Sequence, residues 1–116
     1  MQIDVNSVSS VYVVRAKGKL MSPVEVEELT SYFRYLRDKK VTRTVLNLQE
    51  MDWMGSIGLG ALISCVTTMR NAGGDVHLCN LNEKLRSIMK ITRLDQVFAI
   101  FDSEELAVQN YSAVAH

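Results

Sequence analysis

The stretch Gly55-Ser56-Ile57-Gly58-Leu59-Gly60 carries the residues best placed for chemistry, one hydroxyl set among three glycines. Glycine weakens a helix, so three of them at a helix start call for a positive-φ turn or for close approach of another chain. Ser56 has a plain structural use, because serine is a preferred cap that accepts one of the first free N–H groups of a helix. Two catalytic readings fail on spacing. A nucleophile elbow needs glycine where Met54 stands, and the only internal histidine, His77, comes too early for that arrangement. The dinucleotide fingerprint is G-x-G-x-x-G, whereas these glycines run G-x-x-G-x-G and no phosphate-loop lysine follows. Cys65 and Cys79 match neither a disulfide framework nor a zinc spacing and are expected as buried free thiols. His77 and Cys79 alternate on one strand face; a packed cysteine beside a half-exposed histidine is expected there rather than a base and a thiol. Neither a cofactor nor a metal site is expected.

The elements that position Ser56 follow from the pattern around it. Residues 2–8 and 10–17 are two β-prone runs able to form a hairpin, the second apolar on both faces and ended by Gly18. Ser22-Pro23-Val24-Glu25 predicts a helix start: Ser22 as cap, Pro23 at the first helical position, Glu25 as the capping-box carboxylate. Val26, Leu29, Tyr32, Phe33 and Leu36 follow at helical spacing. Glu25, Glu27 and Glu28 at its start and Arg37, Lys39 and Lys40 at its end complement the helix dipole, as on a solvated face. Residues 44–48 read as a central strand, followed by a short turn with Glu50 and Asp52. Leu59, Leu62, Ile63, Val66 and Met69 carry the next helix to about Asn71, which Gly73-Gly74 closes. Residues 75–79 are a strand, Asn82 caps a third helix, residues 97–101 are a last strand, and a final helix opens at Asp102-Ser103-Glu104-Glu105. Its apolar residues Leu106, Val108, Tyr111 and Val114 lie on more than one side and fit either packing on the sheet or a dimer. The order is ββαβαβαβα, an α/β fold with a small, mixed, mostly parallel sheet. Functional turns of such sheets lie at the carboxyl ends of strands, where residues 53–60 fall.

Composition bounds the function. The chain of 116 residues is 47% hydrophobic, enough for a single domain over residues 1–116 with one core. Thirteen Lys+Arg against thirteen Asp+Glu give a net charge of zero, which argues against a broad electrostatic nucleic-acid binder. No apolar run approaches the roughly 20 residues of a membrane helix. The start Met-Gln-Ile-Asp-Val-Asn shows neither a basic region nor an apolar region of a secretory signal, so a cytoplasmic protein is expected.

The segment from Val45 through Met51-Asp52-Trp53-Met54-Gly55-Ser56-Ile57-Gly58-Leu59-Gly60 resembles the signature of STAS domains, in particular the bacterial anti-sigma factor antagonists. Their pattern is a buried strand, a short turn, then Asp-Ser-Ser/Thr-Gly-Leu-Gly opening a helix. Gly73-Gly74 with the strand after it, and the stretch from Val97 to Leu106, resemble later parts of the same family. The resemblance implies a STAS fold and a partner switch without catalysis by the chain itself. In that family the bare antagonist binds an anti-sigma factor that is also a serine protein kinase. Phosphorylation of the signature serine ends binding, and a phosphatase restores it. The phosphoacceptor falls on Ser56; Gly58, Leu59 and Gly60 match the end of the motif. Gly55 stands where the family has Asp, and Ile57 where it has a second hydroxyl.

A phosphate on Ser56 would add about 1.5–2 negative charges at a helix N-terminus, where N–H groups and the dipole favour an anion. The modification is therefore expected to act at the interface rather than on the fold. The candidate partner face comprises Met21, Ser22, Trp53, Met54, Gly55, Ser56, Ile57, Gly58 and Gly60. Trp53 and Met54 are large apolar residues of a kind used both as interface anchors and as core fillers, Trp53 divided evenly between the two, and Met21 leans to core or loop packing. A second reading is a STAS module that senses a nucleotide or another small anion at residues 55–60, although no Lys or Arg stands in that turn. A thiol enzyme built on Cys65 or Cys79 lacks an arranged base.

Overall fold

The computed structural model describes residues 1–114, with side chains through Tyr111. Val114 of the last helix's apolar set lies outside the described side chains. Strands β1 (Gln2–Val8) and β2 (Val11–Leu20) form an antiparallel hairpin, and β3 (Arg43–Asn47), β5 (Asp75–Cys79) and β6 (Ala99–Phe101) extend the sheet in parallel. The sheet order is β1-β2-β3-β5-β6, with β4 (Met51–Met54) paired to β2 off that path. Helices α1 (Pro23–Asp38), α2 (Ser56–Asn71) and α3 (Glu83–Ile91) bury Leu29, Phe33, Leu62, Met69, Leu85 and Met89 in the main core with Val14, Leu46 and Leu78. Helix α4 (Glu104–Val114) covers the other face, where Ala107 and Tyr111 pack on Val11, Val13, Val45 and Cys79.

The largest differences from the expected elements lie in the second strand, the turn around Asp52 and the last strand. The second strand does not stop at Gly18. There φ is +116°, a region open to glycine, and the strand shifts register and runs on to Leu20. The turn around Asp52 contains β4, which pairs in parallel with that extension, so the order gains a strand. The last strand begins at Ala99 rather than Val97. Arg93 adopts positive φ after α3, and a 3-10 turn over Leu94–Gln96 occupies the approach.

Long-range polar contacts hold α4 in place. Arg15 on β2 forks onto Glu104 (Nε–Oε2 2.9 Å, Nη2–Oε1 2.7 Å), and the Asn47 amide donates to the same carboxylate. The Tyr111 hydroxyl shares its proton between the carbonyls of Thr44 (2.6 Å) and Asp75 (2.7 Å) and accepts the Thr44 N–H. Its ring stacks on His77 at 3.7 Å. His77 is thus buried rather than half-exposed, and its Nδ1–H donates to the Ala107 carbonyl at 2.8 Å.

Burial, which disfavours the imidazolium, holds the His77 pKa below the usual histidine value despite the Ala107 bond and nearby Asp75. The unfolded chain therefore takes up this proton at higher pH than the folded one. The contribution to stability is complete above about pH 6.5 and is lost as the pH falls through that value toward the folded pKa, at no more than about 1.4 kcal/mol per pH unit. Urea midpoints measured from about pH 7 to about pH 5 should fall less in His77→Gln than in the parent chain.

Candidate functional site

The end of β2 and the end of β4 set up the start of α2. Leu20 and Met54 lie side by side in register, and the Leu20 carbonyl accepts the Gly55 N–H at 3.1 Å. The helix then passes so close to Leu20 that a Cβ on Gly58 would overlap the same carbonyl oxygen and sit 2.9 Å from the Met54 Cβ. Close approach thus explains Gly58, but not its neighbours. A Cβ on Gly55 or Gly60 would meet no atom within 4 Å, and both have ordinary φ.

Ser56 is not the cap of α2. Gly55 occupies the cap position with φ −83° and ψ −173°, without a side-chain cap, and Ser56 is the first helical residue. Its side chain is exposed, and its hydroxyl has no hydrogen-bond partner among the described residues. Ser22, at the start of the neighbouring α1, is the opposite case. Its hydroxyl accepts the Glu25 N–H, while the Glu25 carboxylate accepts the N–H groups of Ser22 (3.0 Å) and Met21 (2.9 Å). Those backbone donors hold the Glu25 pKa below the usual carboxylate value. One serine is committed to its fold; the other is presented to solvent.

The candidate face divides accordingly. Ser56, Ile57 (45% exposed), Gly60 and Met21 (49% exposed) are accessible, with Gly55, Ser22 and Trp53 partly so. Met21 therefore does not pack in the core. Met54, 1% exposed, does, and leaves the contact set; Gly58 is buried too and supports the turn without facing a partner. Trp53 lies half-buried against the core cluster. The Leu20 carbonyl, which organises the turn, is not evident in the sequence. Its only trace was a glycine at position 58, inside a helix where it costs stability.

The free N–H groups of α2's first turn favour an anion there, while exposed Asp52 and Glu50 add negative charge nearby, Glu50 with Lys17 at 3.6 Å. The two thiols are buried, and burial pushes each pKa up to about 12, so both behave as small apolar side chains. Among the described residues no His, Cys, Asp and Glu group could hold a metal ion, and no helix is long and apolar enough to cross a membrane.

Comparison with known proteins agrees with this architecture. The STAS domain family matches residues 2–107. The anti-sigma F factor antagonist of Paenibacillus polymyxa is 22% identical over 115 residues, 99% of this chain and 98% of its own. An anti-sigma factor antagonist from Mycobacterium paratuberculosis superposes with a TM-score of 0.80 at 19% identity, over 94% of this chain and 92% of its own. The phosphorylated form of the Bacillus cell fate determinant SpoIIAA does so with a TM-score of 0.73 at 19% identity, over 95% and 99% of the two chains. With residues 2–107 matched and the sheet and four helices in this arrangement, the chain belongs to the STAS domain family, among relatives named anti-sigma factor antagonists.

Proposed function

We propose that this chain is the antagonist in a partner switch in the cytoplasm, controlled by phosphorylation of Ser56. With Ser56 bare, the first turn of α2 and the adjoining Met21 bind an anti-sigma factor that is also a serine protein kinase. The kinase transfers the γ-phosphoryl group of ATP to the Ser56 oxygen, releasing ADP and the hydroxyl proton, and binding ends; a phosphatase then hydrolyses the phosphoester with water, releasing inorganic phosphate and restoring the hydroxyl. The observation that carries the reading is the state of the Ser56 hydroxyl: exposed, uncapped and without a partner at a helix N-terminus. A phosphate there meets free N–H groups, so the fold tolerates it. Its bulk and charge instead oppose an apolar or acidic partner surface. The phosphorylated form known for SpoIIAA supports the same chemistry on this fold.

The test is to recover the tagged chain from its own cells and analyse everything bound by mass spectrometry. A kinase-like protein in the eluate, with one phosphate on Ser56 in part of the population, is the expected result. A different partner with Ser56 unmodified would overturn the switch. It would leave the anion-sensing reading, which predicts a thermal shift with nucleotide alone.

A further inference from the structure

The hairpin strand β1 forms one edge of the sheet, and among the described residues its outer side has no partner strand. Natural edges are usually blunted by proline, lysine, a bulge or short length. β1 has seven residues, Gln-Ile-Asp-Val-Asn-Ser-Val, in unbroken register with β2; it contains neither proline nor lysine, and a single charge, Asp4. Its main-chain polarity follows from the hairpin. Val8 and Val11 flank the two-residue turn Ser9-Ser10, both with positive φ, so they exchange hydrogen bonds across the turn. Alternation then points the backbone groups of Gln2, Asp4, Asn6 and Val8 at β2, and those of Ile3, Val5 and Ser7 outward.

We propose that β1 pairs antiparallel with β1 of a second copy of this chain about a two-fold axis at Val5. The register is self-selecting. Val5 is the midpoint of Gln2–Val8, so this axis overlaps all seven residues, and Val5 is also one of the outward-bonding positions. Val5 then exchanges hydrogen bonds with its symmetry mate, and Ile3 with Ser7 of the other copy. Asp4 faces the uncharged Asn6, so no like charges oppose each other. An isologous contact of this kind closes at two chains and does not propagate from the same edge. Apolar surface borders the strand on both sheet faces. On the α1 side Met1, Ile3, Tyr32 and the exposed Tyr35 line a hollow of about 410 Å³ together with Glu28 and Ser31, and on the α4 side Val8 and Val108 line one of about 450 Å³ together with Ser9, Gln109, Glu104 and Glu105.

Sedimentation velocity on the full chain over about 1–100 µM tests the pairing. A species of twice the monomer mass that grows with concentration is expected. Val5→Pro removes the outward N–H at the axis while sparing the ladder to β2, and Val5→Lys sets two ammonium groups opposite each other. Both variants should remain monomeric with the parent circular dichroism spectrum. If Val5→Pro fails to fold, Val5→Lys decides. A parent chain that stays monomeric throughout overturns the proposal, as does a dimer that persists in a folded Val5→Lys chain.

Discussion

Gly58→Ala is expected to cost about 3 kcal/mol of folding stability, the upper part of the range for overpacking a closed site. The added methyl would overlap the Leu20 carbonyl oxygen and crowd the Met54 Cβ at 2.9 Å. The oxygen cannot turn aside, because it accepts the Gly55 N–H that starts α2. Met54 cannot retreat, because it is packed in the core. Relief requires α2 to move off β2, which breaks the turn that presents Ser56. In a chain of this size, a loss of about 3 kcal/mol lowers the melting midpoint by about 12 °C. Gly60→Ala supplies the control with the opposite sign. Its Cβ enters open space within the same helix, so stability should rise by about 0.5–1 kcal/mol. Urea titrations of the two variants check both; equal effects would refute the close approach as the reason for Gly58.

Ser56→Asp should leave the fold intact and abolish partner binding. A carboxylate in the first turn of α2 interacts favourably with the helix dipole by about 0.3–1 kcal/mol, so the melting midpoint should hold or rise slightly. At the contact surface the same charge is costly. Placing it against an apolar or acidic partner costs several kcal/mol, and about 3 kcal/mol corresponds to a dissociation constant weaker by about 100-fold. Calorimetric titration of the recovered partner against parent and variant separates the two effects. Full-strength binding by Ser56→Asp would sink the switch; a deep fall in melting temperature would show that Ser56 serves the fold. Gly55→Asp makes a companion experiment. The site has open space for its side chain, and an aspartate there supplies the missing cap and the carboxylate of the family pattern. Faster phosphorylation of Ser56 in that variant would assign the carboxylate a part in kinase recognition.

Structure is legible in the sequence where the deciding groups are neighbours in the chain. Ser22, Pro23 and Glu25 form the capping box they spell, and Asn82 caps α3 by accepting the Leu85 N–H at 2.8 Å. It is not legible where a distant segment decides. β4 is four residues long, and only the extension of β2 beyond Gly18 makes it a strand. Met21 and Met54 have the same side chain and flank the same turn, yet one is exposed and the other buried. Their fates depend on which faces the core between β2 and α2. His77 is covered by Tyr111, contributed by a helix that begins 27 positions later at Glu104. For Ser56, composition could not separate a capping hydroxyl from a presented one. That depended on Gly55 taking the cap position, one residue earlier than the cap reading placed it.

The Arg15–Glu104 fork joins residues 89 apart, so synthesis delivers its two halves at very different times. While a ribosome is still extending the chain, β2 and β3 can pair and receive α1 and α2 on one side. The other side, with Val11, Val13 and Val45, stays bare until α4 emerges. Arg15 meanwhile lacks its carboxylate, and the Thr44 backbone lacks the Tyr111 hydroxyl. Docking of α4 is thus a late, non-local step that closes the fold, and the interval before it is when a nascent chain is most open to chaperones and to misassociation through the uncovered sheet.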